Sequence, residues 1–379
     1  MKDLSECRIL IVDDVKTNVD VLVHALKEDY KLSVALDGES ALKNAEKTPP
    51  DLVLLDIVMP GIDGYEVCRR LRAAPETREV PIMFLSSLED VKDKTKGFEA
   101  GGNDYLAKPF EILEVKARVR SLVKAKAYAD AVKEAMAREL RIAREIQMGI
   151  LPADLSQCTS GTGLEIHALL EPAQQVGGDL YEVLRVGDRL VVAVGDVSGK
   201  GISASLFMAV TMTLLRSMAR QFESPAEILR RVNDELAVQN PRMMFVTLAC
   251  LVFDLRAGTV TGASAGHPEL VLLGPGRPPR VVFPSSGAVL GVMPGAEMGS
   301  ESMDFAPGDT LVLFSDGVTE AFGPGQELFG DDRLLEQLAR EPGATAAETV
   351  ASVLAAVRRH ADGAPQSDDI TIVAVRRLP

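Results

Sequence analysis

Short apolar runs separated by longer amphipathic stretches fill the first third of the chain. The runs at residues 8–12, 32–35, 52–55, 82–85 and 105–106 are too short for helices, and they are rich in Val, Ile and Leu. Between them the apolar positions recur at helical spacing. Five strands alternating with helices predict a doubly wound five-stranded parallel sheet that ends near Leu122. In an open sheet of this kind the ligand site forms beyond the carboxyl ends of the strands.

The pattern then changes. From 124 to 147 there is no Pro or Gly, and Val132, Met136, Leu140, Ala143, Ile146 and Ile150 recur three or four residues apart. They form one apolar stripe on a continuous helix, flanked by Glu134, Arg138, Glu139, Arg144 and Glu145. Such a helix either lies against a neighbouring domain or pairs with its copy in a dimer, and the charged flanks suit a coiled-coil seam. Leu151-Pro152 closes it. From Thr162 onward, strand-like segments at both ends enclose helical stretches at 202–220, 226–237, 331–340 and 346–360, before a last strand at 370–375. Turns are signalled at Val186-Gly187-Asp188, Ala257-Gly258 and Pro307-Gly308-Asp309. This predicts stacked antiparallel sheets covered by helices. The expected division is 1–123, a helical linker at 124–150, and 151–379.

Charge narrows the partners. Against 55 Asp and Glu stand 41 Lys and Arg, a formal net charge of −14. Nucleic acid is therefore an unsuitable partner, since phosphate contacts need clustered cations. Cys7, Cys68, Cys158 and Cys250 lie far apart with no CxxC pair, as expected of free thiols in a reducing cytoplasm. The N-terminus has no signal-peptide pattern. The apolar stretch 202–215 carries Ser203, Ser205, Thr211 and Thr213 and falls short of the ~20 residues of a membrane span, so it reads as a buried helix. A soluble, cytoplasmic protein without a membrane partner is expected.

Candidate chemistry collects at strand ends. Asp13 and Asp14 follow the first strand and Asp56 follows the third, so three carboxylates share a crevice that suits a hard cation such as Mg²⁺. Ser86 ends the fourth strand, and Lys108, before Pro109, lies past the fifth. A carboxylate nucleophile, a hydroxyl, an ammonium and a metal suit phosphoryl transfer to an aspartate. The segments ILIVDD, LVLLDIVMPGIDGYEV, PIMFLSS and GGNDYLAKPF resemble the flavodoxin-like receiver domain of response regulators over about residues 7–123. The resemblance implies Asp56 as phospho-acceptor and Asp14 and Asp56 as Mg²⁺ ligands, with Asp13 close by and the Val58 carbonyl completing the set. It places Ser86 and Lys108 on the phosphoryl group and Tyr105 at the aromatic position that moves on activation.

A second acidic set lies in Gly-rich turns: Asp179 in VGGDLYE, Asp196 in VGDVSGKG, Asp316 in FSDGVTEA, and Asp368 with Asp369 in SDDITIV. Each abuts an apolar strand, and no comparable set of His or Cys accompanies them. They read as an oxygen-lined site for two Mg²⁺ or Mn²⁺ ions, which activate water and clamp a phosphate. With ELRIAREIQMGILP, these motifs resemble the PP2C-type (PPM) phosphatases related to SpoIIE and RsbU, from about Leu140 to Val375. The resemblance implies an α/β/β/α sandwich. It makes Asp179, Asp196, Asp316 and Asp368 metal ligands, with Val197 giving its backbone carbonyl and Asp369 ranked behind Asp368. Gly178, Gly195 and Gly317 match turn glycines. Glu182 stands where the family usually has Asp, and His267 in SAGHPE is given no acid–base role.

Together the resemblances imply a response regulator whose phosphorylation by a sensor histidine kinase controls a serine/threonine phosphoprotein phosphatase. The implied substrate is an STAS-type anti-sigma-factor antagonist. The alternative is an adaptor that uses a silent phosphatase fold for binding. Retention of all four carboxylates favours the enzyme.

Overall fold

The computed structural model describes residues 3–87, 96–152, 154–238 and 240–379. The chain divides into two compact units, Met1–Arg138 and Glu139–Pro379.

In the first unit, β1 (Arg8–Val12), β2 (Lys31–Ala35), β3 (Leu52–Asp56), β4 (Ile82–Ser86) and β5 (Asp104–Ala107) form a sheet in the order β2-β1-β3-β4-β5. All its pairs are parallel. Helices α1 (Lys16–Leu26), α2 (Gly38–Lys47) and α3 (Gly64–Ala73) connect the strands. Two of these helices begin on aspartate caps: Asp37 accepts from the Ser40 N–H and Asp63 from the Glu66 N–H, each at 2.8 Å. The central strands β1, β3 and β4 are buried on both faces, which is why they read as unbroken apolar runs, while the edge strands β2 and β5 are partly exposed. Pairing of Val12 with Leu55 brings the ends of β1 and β3 level, so Asp13 and Asp56 emerge side by side.

The helix expected from 124 begins earlier. Helix α4 runs unbroken from Ile112 to Ile150, because nothing between 112 and 148 interrupts it. Val115, Val119 and Val123 are buried in the first unit's core. The later stripe residues Val132, Met136 and Ile146 are exposed.

The second unit stacks two antiparallel sheets. One has the order β13-β10-β9-β8-β7, from β7 (Leu180–Val186), β8 (Arg189–Val197), β9 (Val246–Asp254), β10 (Thr259–Ala265) and β13 (Glu301–Asp304). The other has the order β12-β11-β14-β15-β6, from β6 (Leu164–Glu171), β11 (Leu270–Gly274), β12 (Arg277–Val282), β14 (Thr310–Phe314) and β15 (Ile370–Arg377). Strand periodicity builds the layers. Leu190, Val192 and Val194 of β8 and Leu251 and Phe253 of β9 meet Leu311, Leu313, Val373 and Val375 between the sheets. The alternate positions Val191, Ala193, Leu248 and Cys250 face outward into the core made with α6 (Ile202–Gln221) and α7 (Pro225–Val238). On the other side, Val312, Phe314, Ile372 and Ala374 pack with Leu334 and Leu338 of α9 (Gly330–Arg340) and with Val350 and Val353 of α10 (Ala346–Ala361). Short helices α5 (Leu155–Thr159) and α8 (Asp316–Thr319) complete the unit. The architecture is the expected α/β/β/α sandwich.

Helix α6 is longer than its apolar stretch suggests. At 20 residues it is the one helix among the described residues long and apolar enough to cross a membrane. Its Ala204, Met208, Met212, Leu215 and Ala219 face is buried in the sandwich core, while Ile202, Leu206 and Val210 on the other side are exposed. It is thus an amphipathic core helix rather than a fully buried one.

Leu251 sits fully buried between the sheets, so Leu251→Ala removes packing that neighbours cannot refill. We expect a loss of about 2–5 kcal/mol in denaturant unfolding of the second unit, with an unchanged denaturant slope.

Candidate functional site

In the first unit three carboxylates converge beyond β1 and β3. Oxygens of Asp13, Asp14 and Asp56 lie within 4.8 Å of one another. Asp13 and Asp56 are buried, while Asp14 is exposed. Lys108 bridges the two buried acids, its Nζ 2.8 Å from Asp13 Oδ2 and 2.7 Å from Asp56 Oδ2. The Lys108 N–H also donates to the Ser86 carbonyl at 2.8 Å, which fixes the start of its loop against the end of β4. Burial pushes the Asp56 carboxyl above its usual range, and neighbouring Asp13 adds to this. Lys108 and the Val58 N–H oppose the shift. The Val58 side chain is exposed. Tyr105 stacks near Phe84 and Phe98, its hydroxyl 3.4 Å from that of Tyr65. An all-oxygen set holding two buried acids suits a hard cation.

Strand phase builds the second site. Ser315, Asp369 and Thr371 extend the inward phase of β14 and β15, and Asp196 that of β8, so they gather at one end of the inter-sheet layer. Asp179 precedes β7, is 1% exposed, and accepts at Oδ2 from Ser315 Oγ (2.7 Å) and Thr371 Oγ1 (2.5 Å). Burial, then the charge of Asp196, drives its carboxyl well above the ordinary range. Asp196 is raised to about 7 by burial and by Asp316, and it shares a hydrogen bond with Asp179. Asp316, opening α8, is raised by burial, Glu320 and Asp368. Gly178 must be glycine, since a Cβ there would press on the Val197 carbonyl and Asp196 Oδ1. The structure therefore brings Asp179, Asp196, Val197, Asp316 and Asp368 to one place. Their oxygens are more spread than in the first site: among the described residues only Asp13, Asp14 and Asp56 meet the three-within-4.8 Å spacing. Buried like charges raising one another's proton affinity form a donor set that divalent cations fit.

Other sequence candidates fall outside this carboxylate set. Glu182 lies on the opposite face of β7 and pairs with Arg216 of α6 at 2.5 Å. The longer side chain thus serves an ion pair between β7 and α6. His267 is buried, its Nδ1 3.0 Å from Thr247 Oγ1, and burial lowers its pKa to about 3. It is neutral at pH 7. It lines an open cavity of about 650 Å³ beside Asp316, with Ser285, Glu320 and Asp331. Asp369 spends its oxygens on backbone N–H groups, Oδ1 on Ala173 (2.8 Å) and Oδ2 on Gly178 (2.8 Å), and so fastens the turn before Asp179.

Sequence reasoning missed several supporting residues. Asn18 donates to both Asp13 oxygens at 3.1 Å. Ser315 and Thr371 hold Asp179, and Lys200 Nζ lies 3.0 Å from Asp368 Oδ2. The available signal was position: polar residues in the inward phase at strand ends, and a lysine in the turn after Asp196.

Comparison with known proteins places the two units in families. The Stage II sporulation protein E (SpoIIE) profile matches residues 186–378, just over half of the chain. The chain belongs to the SpoIIE family. The response regulator receiver domain matches residues 9–120. The response regulator PleD of Caulobacter vibrioides is 42% identical over 128 residues, covering 34% of this chain and 28% of PleD. Protein IcfG of Synechocystis is 32% identical over 279 residues, 66% of this chain and 43% of IcfG. The chain thus spans less than half the length of either relative. The SiaA-PP2C domain of Pseudomonas aeruginosa superimposes with a TM-score of 0.59 at 23% identity, covering 65% of this chain and 98% of that domain. At that identity it shows the fold. This SpoIIE-family chain is therefore a receiver domain joined to a PP2C-type domain.

The acid pair in the SpoIIE domain makes metal-free stability depend on pH. The folded pKa of Asp196, about 7, exceeds its ordinary 3.8. Its contribution is therefore fully present below about pH 4 and lost as pH rises through about 7. In EDTA, the melting temperature of wild type is expected to fall between pH 5 and pH 8. Asp196→Asn should flatten that fall and melt higher than wild type at pH 8. Parallel pH profiles for the two proteins would count against the charge repulsion.

Proposed function

We propose that this chain is a response regulator whose SpoIIE domain is a metal-dependent protein serine/threonine phosphatase controlled by phosphorylation of Asp56. The convergence of Asp179, Asp196, Asp316 and Asp368 at one end of the sandwich carries this reading. In it, these aspartates and the Val197 carbonyl hold two Mg²⁺ or Mn²⁺ ions. Divalent ions bound there supply charge neutralisation and an activated water for hydrolysis of a phosphate ester. The protein's own part is preorganisation: Ser315 and Thr371 orient Asp179, and Asp369 fixes the turn beside it. The open cavity beside Asp316 admits a phosphorylated segment.

In the receiver, Asp56 takes the phosphoryl group from a sensor histidine kinase. Asp13, Asp14, Asp56 and the Val58 carbonyl hold Mg²⁺, and Lys108 and Ser86 contact the phosphoryl oxygens. The close Lys108–Asp56 pair supports this assignment, since the ammonium already sits on the accepting carboxylate. The working boundaries are 1–123, 124–150 and 151–379. The substrate we favour is a phosphoserine or phosphothreonine protein of the STAS anti-sigma-factor-antagonist class, in the cytoplasm, where four free cysteines are at home. Exposed Val132, Met136 and Ile146 on α4 support a homodimer through that helix.

With Mn²⁺, the purified chain should hydrolyse p-nitrophenyl phosphate and a phosphoserine protein. Asp196→Ala and Asp316→Ala should reduce both rates to background while leaving the fold intact by circular dichroism. Equal rates for wild type and variants would defeat the phosphatase reading.

A further inference from the structure

We propose that Gln147, near the C-terminal end of α4, is a positioning residue for Asp179. Gln147 is 5% exposed, although glutamine is ordinarily a surface residue of a helix. Its Nε2 donates to the Gly177 carbonyl at 2.8 Å and its Oε1 accepts from the Gly177 N–H at 3.2 Å. One carboxamide thus satisfies both polar groups of one buried residue. Of the apolar-sized side chains that fit such a space, only an amide carries donor and acceptor side by side in this way.

Gly177 stands two residues before Asp179, in a turn with little freedom. On its other side the Asp369 carboxylate lies so close that Gly177 has no room for a Cβ, and that carboxylate accepts the next N–H, from Gly178. The turn is therefore held between an amide on one side and a carboxylate on the other. The helix end that carries the amide is itself anchored. Arg216 donates from Nη2 to the Ile150 carbonyl at 2.6 Å while its Nε binds Glu182, and Leu151 is buried in the core between α6, α7 and their sheet. Gln147 transfers that rigidity to the turn. Without the amide, the Gly177 N–H and C=O are buried and unpaired, and the turn must move to find partners. Asp179 moves with it, away from Ser315 Oγ and Thr371 Oγ1.

The inference rests on the reading of Asp179 as a metal ligand, and the test separates the two. Mn²⁺ binding to the full chain is measured by electron paramagnetic resonance of the free ion, for wild type, Asp179→Asn, Gln147→Met and Gln147→Glu. Methionine keeps the volume and removes both hydrogen bonds; glutamate keeps the shape and loses the amide donor. Both Gln147 variants should bind Mn²⁺ roughly 10-fold or more weakly, the scale on which losing the outer contacts that orient a metal ligand acts. The groups left unpaired at Gly177 also lower their metal-free melting temperature, so the deciding readout is the Mn²⁺ affinity of the folded chain, and kcat should recover at saturating Mn²⁺. A residue that merely supports the fold would lower the melting temperature and leave the Mn²⁺ affinity of the folded chain alone, which would overturn the proposal. Wild-type affinity in both variants would overturn it as well. Should wild type bind Mn²⁺ no better than Asp179→Asn, the ligand reading falls and takes this proposal with it.

Discussion

Holding like charges together away from water is the constraint on which both units depend. At about 4 Å and an effective dielectric near 20, two carboxylates repel by roughly 4 kcal/mol, a large fraction of a domain's stability. The two units answer this differently. In the receiver, Lys108 lies between Asp13 and Asp56 and supplies the opposite charge from within the chain. In the SpoIIE domain no side-chain cation among the described residues pairs with Asp179; hydroxyls of Ser315 and Thr371 bind it, and protons are held more tightly instead. That difference matters chemically. A resident ammonium poises the receiver to accept a charged group, whereas the second site, with Lys200 on Asp368, is left with buried Asp179, Asp196 and Asp316 in a set suited to divalent ions.

The sheets exist to make such placements. Parallel register brings Asp13 and Asp56 level, and alternation in β8, β14 and β15 turns Asp196, Ser315, Asp369 and Thr371 into the layer between the sheets. The apolar packing behind them, Leu190, Leu251, Leu313 and Val373 among others, keeps the strand ends from yielding to the repulsion. Stability of the core and geometry of the site are one requirement seen at two depths.

Much of this was readable along the chain, and the reason is local. Strands of the receiver announce themselves as buried runs, and acidic residues at their ends need only the rule that parallel strands align their carboxyl ends. The four aspartates of the second site were visible for the same reason, as acids in Gly turns abutting strands. What escaped notice depends on neighbours distant in sequence. Thr371 reaches Asp179 across 192 residues and Gln147 reaches Gly177 across 30, and neither hydroxyl nor amide carries a local signature of its partner. Asp369 was ranked behind Asp368 by the family resemblance alone, and its bonds to the Ala173 and Gly178 N–H groups had no local signature. Helix α4 ran longer than its apolar stripe because its first turns bury Val115, Val119 and Val123 in a different core from its last.

One continuous helix, α4, has its first turns buried with the receiver sheet and its last residues beside the turn before Asp179. In the proposed function, the state of Asp56 sets the rate at the second site. The most direct measurement is the dephosphorylation rate of a phosphoserine protein by the full chain, with and without an acyl-phosphate donor, for wild type and Asp56→Asn. The donor should change the wild-type rate and leave that of Asp56→Asn untouched. Identical rates with and without donor, in a wild-type protein verified to be phosphorylated on Asp56, would contradict it.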